Sequence, residues 1–329
     1  MLLLTKKDII NIFSMKEAIE ADKEALKMYN EGKTNIPLRV NIDIPKYKGQ
    51  SLFMPGYAEA MDVTGIKIVS VFPNNIEKGK PSVPAKMLLL DGETGEVISI
   101  MDGTYLTQLR TGAVAGAATD ILANKNAKKM ALFGTGGQAP SQLEAVLAVR
   151  DIEIVKVFDI NKERAEEFAK SMQEQLKSYG ATILAAESME DALEDADVIT
   201  TVTTSKRPVF DGKLVKKGAH INGIGAYTPE MQEIDEYIIK NCDKLFVDTK
   251  HGVLSEAGDL IIPINKGIIS EDKVSGELGE VIIGKVLGRE NEKEITVFKS
   301  VGSAILDVVT AYKIYEKAKE LKVGFEFDI

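Results

Sequence analysis

The 329-residue sequence has one cysteine, Cys242, so it can form no intramolecular disulfide and no all-cysteine metal site. Its two histidines, His220 and His251, stand far apart and in no metal-ligand spacing, so no metal is expected. No basic block offsets the net charge of −9, which argues against nucleic acid as a partner. The short clusters Lys6-Lys7, Lys128-Lys129 and Lys216-Lys217 read as solvated turn or helix-end charges. Long apolar runs are missing as well: none approaches the roughly 18 residues that a membrane helix requires. The leucines at positions 2–4 give way at once to Thr5, Lys6, Lys7 and Asp8, too short a run for a secretion signal. The expectation is a cytoplasmic protein that binds neither membrane nor nucleic acid.

What is present is an ordinary globular balance, 28% charged and 44% hydrophobic, in a chain long enough for two domains. There is no internal repeat and no low-complexity linker. Ser14 and Glu17 form a capping-box pattern before residues 15–30, where Ala18, Ile19, Ala25, Leu26 and Tyr29 share one helical face and Gly32 ends the run. Strand patterns follow at 40–44, 51–54, 65–72, 86–90 and 97–101, with turn residues Asp91-Gly92 and Glu93-Thr94-Gly95 before the last. This part predicts helices followed by a mostly antiparallel sheet, an α+β arrangement.

The pattern changes near residue 103. Residues 105–123 predict a helix rich in small side chains (Gly112, Ala113, Ala115, Gly116, Ala117, Ala118) and suited to close packing. Strands and helices then alternate: strands at 130–133, 155–158, 182–185, 198–202, 219–224, 245–247 and 295–298, with helices at 141–150, 162–179 and after Ser188. That alternation predicts a doubly wound, Rossmann-type parallel α/β sheet. A final helix at 303–321 carries Ile305, Val308, Val309, Tyr312, Tyr315 and Ala318 at helical spacing and is expected to return to the first domain. The expected division is 1–118 with 304–329 for one domain and 119–303 for the other.

Gly134-Thr135-Gly136-Gly137-Gln138-Ala139 fits the G-x-G-x-x-A form of a dinucleotide-binding turn. The first glycine permits the tight turn, the second lets the backbone approach a pyrophosphate, and the alanine lets helix and strand pack closely. The helix behind it offers free N–H groups to the anion, and Pro140 sits where a first-turn proline is tolerated. Asp159 closes the second strand, 25 residues after Gly134, where a carboxylate accepts from the ribose hydroxyls and repels a 2′-phosphate. NAD is therefore expected, with NADP as the alternative if Arg164 offsets the charge. Asp159 can equally serve as the N-cap of the following helix, a role compatible with the first.

Five segments together carry a family resemblance: Arg39 and Met54-Pro55 with Gly65-Ile66-Lys67; Leu109-Arg110-Thr111-Gly112-Ala113; the glycine turn; residues 221–225 with Pro229 and Glu233; and Phe298-Lys299-Ser300-Val301-Gly302. In order and spacing they resemble the ornithine cyclodeaminase/mu-crystallin family over residues 39–307. The resemblance implies a homodimer, with the discontinuous α+β domain serving dimerisation and substrate. It also implies that Arg39, Lys67 and Arg110 hold a small amino or imino acid, with Lys67 and Arg110 catalytic. Tyr227 and Val301 are implied substrate neighbours. Cofactor contacts are implied for Ser82, Arg110, Thr111, Gly134, Thr135, Gly136, Gly137, Gln138 and Asp159. They are implied also for Thr201 or Thr203, for Ile221, Asn222, Gly223 and Ile224, and for Ser300. Three cations around a small carboxylate, with arginine gripping it bidentately, agree with this. On residues alone, Lys67 can also be read as a solvated outer-face residue and Arg110 as a helix-surface charge.

Cyclodeaminases of this family carry an aspartate two residues before the proline that matches Pro229, and a glutamate near the start of the Met-Pro strand. Tyr227 and Leu52 stand there in this chain. A second ammonium on the substrate would lack its partner, unless Glu59 or Asp62 substitutes. The expected function is an NAD(P)H-dependent oxidoreductase acting on the C=N or C–N bond of a small imino or amino acid. It would resemble cyclic ketimine and pyrroline-2-carboxylate reductases or alanine dehydrogenase. Ornithine cyclodeaminase and a mu-crystallin-like ligand-binding protein are the alternatives.

Overall fold

The computed structural model describes residues 1–328 and divides into two compact units, Met1–Arg110 with Ser303–Ile329, and Thr111–Gly302. The division falls inside the helix Gly103–Leu122, as does the boundary expected at residue 118.

The first unit is built on an eight-stranded mixed sheet. Its order is Phe325–Glu326, Leu2–Leu4, Val97–Asp102, Ala85–Asp91, Val63–Val71, Gly49–Ala58 and Thr34–Asn35, with Val40–Ile44 also paired to Gly49–Ala58. Most pairs are antiparallel, as the turn-rich sequence suggested, but Leu2–Leu4 runs parallel to Val97–Asp102. Three residues are too few for alternation to be read, so this strand escapes sequence analysis. Along Val63–Val71 alternate residues turn inward: Val63, Gly65, Lys67 and Val69 are buried, while Thr64, Ile66, Ile68 and Ser70 face the other way, half-buried.

Helix Ala304–Leu321 covers the inner face, and helix Met15–Asn30 packs on that helix. Met15–Asn30 starts with the reciprocal Ser14/Glu17 capping box. Ala304–Leu321 crosses the central strands closely, because Gly56 and Gly65 leave room for it. A Cβ at Gly65 would lie 3.1 Å from Val308 Cγ2, and one at Gly56 3.6 Å from the Ala304 Cβ.

In the second unit all eight strands are parallel. Their order is Thr182–Ala185, Ile154–Phe158, Lys129–Phe133, Val198–Thr201, His220–Gly223, Thr296–Lys299, Lys244–Val247 and Gly276–Glu277. Strand order reverses between Lys129–Phe133 and Val198–Thr201, the switch point at which doubly wound sheets bind ligands beyond their carboxyl ends. Helix Ala139–Val149 packs tightly on the small-residue helix, where a Cβ at Gly112 would stand 2.5 Å from the Ser141 carbonyl oxygen.

Candidate functional site

Lys67 lies on the inner face of its strand, 1% exposed, with Nζ 2.7 Å from Oδ2 of Asp307. Arg110 Nε donates to the other oxygen of that carboxylate at 2.9 Å. The reading of Lys67 as a solvated outer-face residue is therefore wrong, and so is that of Arg110 as a surface charge: strand register and helix phase turn both inward. Asp307 sits in the first turn of helix Ala304–Leu321, where the helix dipole favours a carboxylate. It belongs to none of the motifs read from the sequence. The available signal was an acid alone in the apolar stretch 304–311.

One turn further on, Thr310 Oγ1 donates to Oδ1 of the buried Asp22 at 3.0 Å. Burial pushes the Asp22 carboxyl well above the usual carboxylate range, against the pull of Arg110. Burial, together with the Arg110 charge, brings Lys67 down to about 7, while Asp307 holds it up and Arg39 adds a further downward push. Arg39 itself is half-buried just before strand Val40–Ile44. The cluster thus has more positive than negative charge. Nη1 of Arg110 is buried and has no hydrogen-bond partner, so a carboxylate is the ligand that would satisfy it.

Beside these cations lies an apolar cluster of Met54, Val69, Ala85 and Ala304, with Ile36 and Leu52 packed on it. Leu52 therefore belongs to a hydrophobic wall. Glu59 and Asp62 do not replace the missing carboxylate: both are exposed at the turn after Ala58, and Tyr57 Oη donates to Asp62 at 3.0 Å. Four residues of strand, about 13 Å, separate that turn from Lys67.

In the second unit the glycine turn joins strand Lys129–Phe133 to helix Ala139–Val149 at the switch point. Gly134 has φ 101°, and a Cβ there would meet Thr203 Cγ2 at 2.8 Å, so glycine is needed twice over. A Cβ at Gly136 would meet nothing within 4 Å, the open approach that a pyrophosphate requires. Asp159 Oδ2 accepts from Thr135 N at 3.1 Å and from Thr135 Oγ1 at 2.7 Å, tying the second strand's end to the turn. The N-cap of the next helix is Asn161, which accepts from Arg164 N, and not Asp159. Gln138 Oε1, Thr111 Oγ1 and Thr201 Oγ1 are buried without partners, polar groups of the kind a dinucleotide would satisfy.

Other expected cofactor residues fall less directly. The Asn222 side chain is committed elsewhere: Nδ2 donates to Thr119 Oγ1, and Oδ1 faces His220 Nε2 at 3.0 Å. Ile221 is wholly buried and Gly223 lies within the same strand, so that segment reaches the carboxyl edge only at Ile224. Ser82 belongs to the first unit, in the loop before Ala85–Asp91, its carbonyl accepting from Phe72 N. Ser300 and Val301 are held by Asp248, another missed residue. Its buried carboxylate accepts from Ser300 Oγ at 2.6 Å, Val301 N at 3.1 Å and Gly302 N at 2.8 Å. Tyr227 follows Gly225-Ala226 and is 36% exposed.

A doubly wound sheet with a phosphate-binding glycine turn, together with a first unit that concentrates cations for a carboxylate, defines a dinucleotide-dependent protein acting on small acids. The chain belongs to the ornithine cyclodeaminase/mu-crystallin family, whose model matches residues 1–322. It is 40% identical over 324 residues to the Δ1-pyrroline-2-carboxylate reductase of Bacillus thuringiensis subsp. konkukian, covering 98% of each chain. Among solved structures it resembles the Thermococcus litoralis Δ1-pyrroline-2-carboxylate reductase in complex with NADH and L-proline. That likeness has a TM-score of 0.94 and 43% identity, over 99% of this chain and 100% of the other. An archaeal alanine dehydrogenase dimer with bound NAD matches with a TM-score of 0.90 and 38% identity, over 100% and 99%. No helix among the described residues is long and apolar enough to cross a membrane.

Proposed function

We propose that this chain is an NADH-dependent reductase of the C=N bond beside a carboxylate, with the neutral ring of Δ1-pyrroline-2-carboxylate as its substrate. The observation that carries this reading is the buried Lys67–Asp307–Arg110 cluster, with its unsatisfied Nη1 and its apolar flank. Arg110 and Arg39 hold the substrate carboxylate, and the ring packs on Leu52 and Met54. A bound NADH supplies the hydride to the imine carbon. Lys67, poised near neutrality, gives its proton to the ring nitrogen and recovers it from solvent. The glycine turn, with Gln138, Thr111 and Thr201, takes the dinucleotide. Asp159 favours the free 2′-hydroxyl of NAD over a 2′-phosphate. The likeness to a reductase solved with NADH and L-proline supports the same reading.

The outer face of the first sheet supports a homodimer. Ile66, Ile68, Leu88, Leu90, Ile98 and Ile100 form a half-buried apolar surface across three central strands, the kind of surface that a second copy covers. The alanine dehydrogenase relative is itself a dimer.

Ornithine cyclodeamination is disfavoured, since Leu52 and Tyr227 leave a second ammonium unpaired. A missing charged hydrogen bond costs about 1.5–3 kcal/mol, roughly tenfold to a hundredfold in rate. The test is a substrate panel of Δ1-pyrroline-2-carboxylate, a six-membered cyclic imine, pyruvate with ammonia, and ornithine, followed by NADH absorbance and ammonia release. The five-membered imine should turn over best and ornithine worst. Efficient release of ammonia from ornithine, with NAD not consumed, would overturn the reading. Tight ligand binding with no turnover would favour the mu-crystallin-like alternative.

A further inference from the structure

One buried carboxylate ties together the loops at the carboxyl edge of the second unit's sheet, and none of the roles assigned above uses it. Glu233 is 0% exposed; one of its oxygens accepts from Thr203 N and the other from Ala226 N at 2.8 Å. These N–H groups belong to the loops that follow the adjacent strands Val198–Thr201 and His220–Gly223. The Glu233 backbone is fixed in turn. Its N–H and that of Ile234 both donate to Asp259 Oδ1, at 2.7 and 2.9 Å. The other Asp259 oxygen is 2.9 Å from Nζ of Lys299, and both groups are 0% exposed.

The fit around the Glu233 side chain is tight. A Cβ at Gly225 would stand 2.6 Å from Glu233 Oε1 and 2.1 Å from the Thr203 carbonyl oxygen. Thr203 in turn packs against the first glycine of the turn, since a Cβ at Gly134 would stand 2.8 Å from its Cγ2. A continuous path of contacts therefore runs from Glu233 through Thr203 to Gly134.

We propose that Glu233 is a positioning residue for the dinucleotide, its ionised carboxylate setting the Thr203 and Gly225-Ala226 loops against the glycine turn. The proposal rests on the dinucleotide reading above and adds a residue that acts without touching the ligand. A carboxylate accepts at both oxygens, whereas a protonated carboxyl presents a donor to one of the two N–H groups and loses that bond. The charged groups facing Glu233 are Lys299, from strand Thr296–Lys299, and Asp259, from helix Gly258–Asn265. Burial pushes its pKa up to about 7, the Lys299 charge opposing and the Asp259 charge assisting. The loops are therefore held fully above neutrality and released as pH falls through it.

The test is isothermal titration calorimetry of NADH into the full-length protein at several pH values from about 5.5 to 8.5, for the wild type and Glu233→Gln. The wild type should bind NADH about tenfold more weakly at the acid end. Glutamine keeps one acceptor but turns its amide N–H groups toward the other loop. The variant should therefore bind about tenfold more weakly at pH 8.5 and show a flat profile. A variant with wild-type affinity, or with the wild-type pH dependence, would overturn the proposal. Should the variant fail to fold, the wild-type titration decides, because tight binding with no pH dependence also overturns it. A wild type that binds no NADH at any pH would overturn the dinucleotide reading, and the proposal with it.

Discussion

A lysine ammonium buried beside an arginine is costly to keep charged, and Lys67 keeps its proton near neutrality because the Asp307 carboxylate lies 2.7 Å away. Lys67 is a base with its pKa brought below the usual 10.5, so the charged form dominates below about 7 and the neutral form above. Imine reduction needs the proton. At saturating NADH its kcat/KM for the imine should be level below about pH 7 and fall above it, while oxidation of the amino acid should rise over the same range. Asp307→Asn removes the main influence holding that pKa up, so the fall should begin at lower pH. Lys67→Met should reduce kcat by about a hundredfold or more, exceeding its effect on KM. Rate profiles that keep the wild-type pH dependence in both variants would remove Lys67 from proton transfer. Lys67 and Arg110 were legible as candidates only through their surrounding motifs, since a lysine between two isoleucines suits either face of a strand. Asp307 offered only its isolation in an apolar stretch, and Asp22 was not legible, because its helix meets Ala304–Leu321 only in the folded chain.

The helix Ala304–Leu321 reaches the cation cluster because two neighbouring strands carry glycine where it crosses. At Gly65 a Cβ would stand 2.7 Å from Met87 Cε and 3.1 Å from both the Leu88 carbonyl oxygen and Val308 Cγ2. The methionine end can yield, but the carbonyl cannot. Gly65→Ala should therefore lower stability by about 1–3 kcal/mol through overpacking, read as a lower denaturant midpoint. An unchanged midpoint would mean that the helix has slack against the sheet. Long elements were read well from sequence: the capping box placed Met15–Asn30, and alternation found the central strands of both sheets. Among the short helices Met189–Leu193 was read from its Ser188 cap, but most others were not. Helices Glu236–Asn241, Lys250–Glu256, Gly258–Asn265 and Leu278–Ile282 span too few turns for a helical period, and Phe325–Glu326 is only a pair of residues.

At the scale of the whole molecule, each compact unit presents one part of the reductive chemistry proposed here. The parallel sheet was legible because strand and helix alternate and the glycine turn falls where the order reverses. The discontinuity of the other unit was legible in outline, from a helix following the last strand of the parallel sheet. The carboxylates Asp248, Asp259 and Glu233 carry no such pattern, since each acts through partners distant in sequence. The central claim is that this chain moves hydride from NADH to the carbon next to a carboxylate. The direct measurement uses NADH deuterated at both C4 positions with Δ1-pyrroline-2-carboxylate, followed by NMR of the product. Reduction as proposed here yields proline carrying one deuterium at Cα. Unlabelled proline, or no proline with NADH intact, would contradict it.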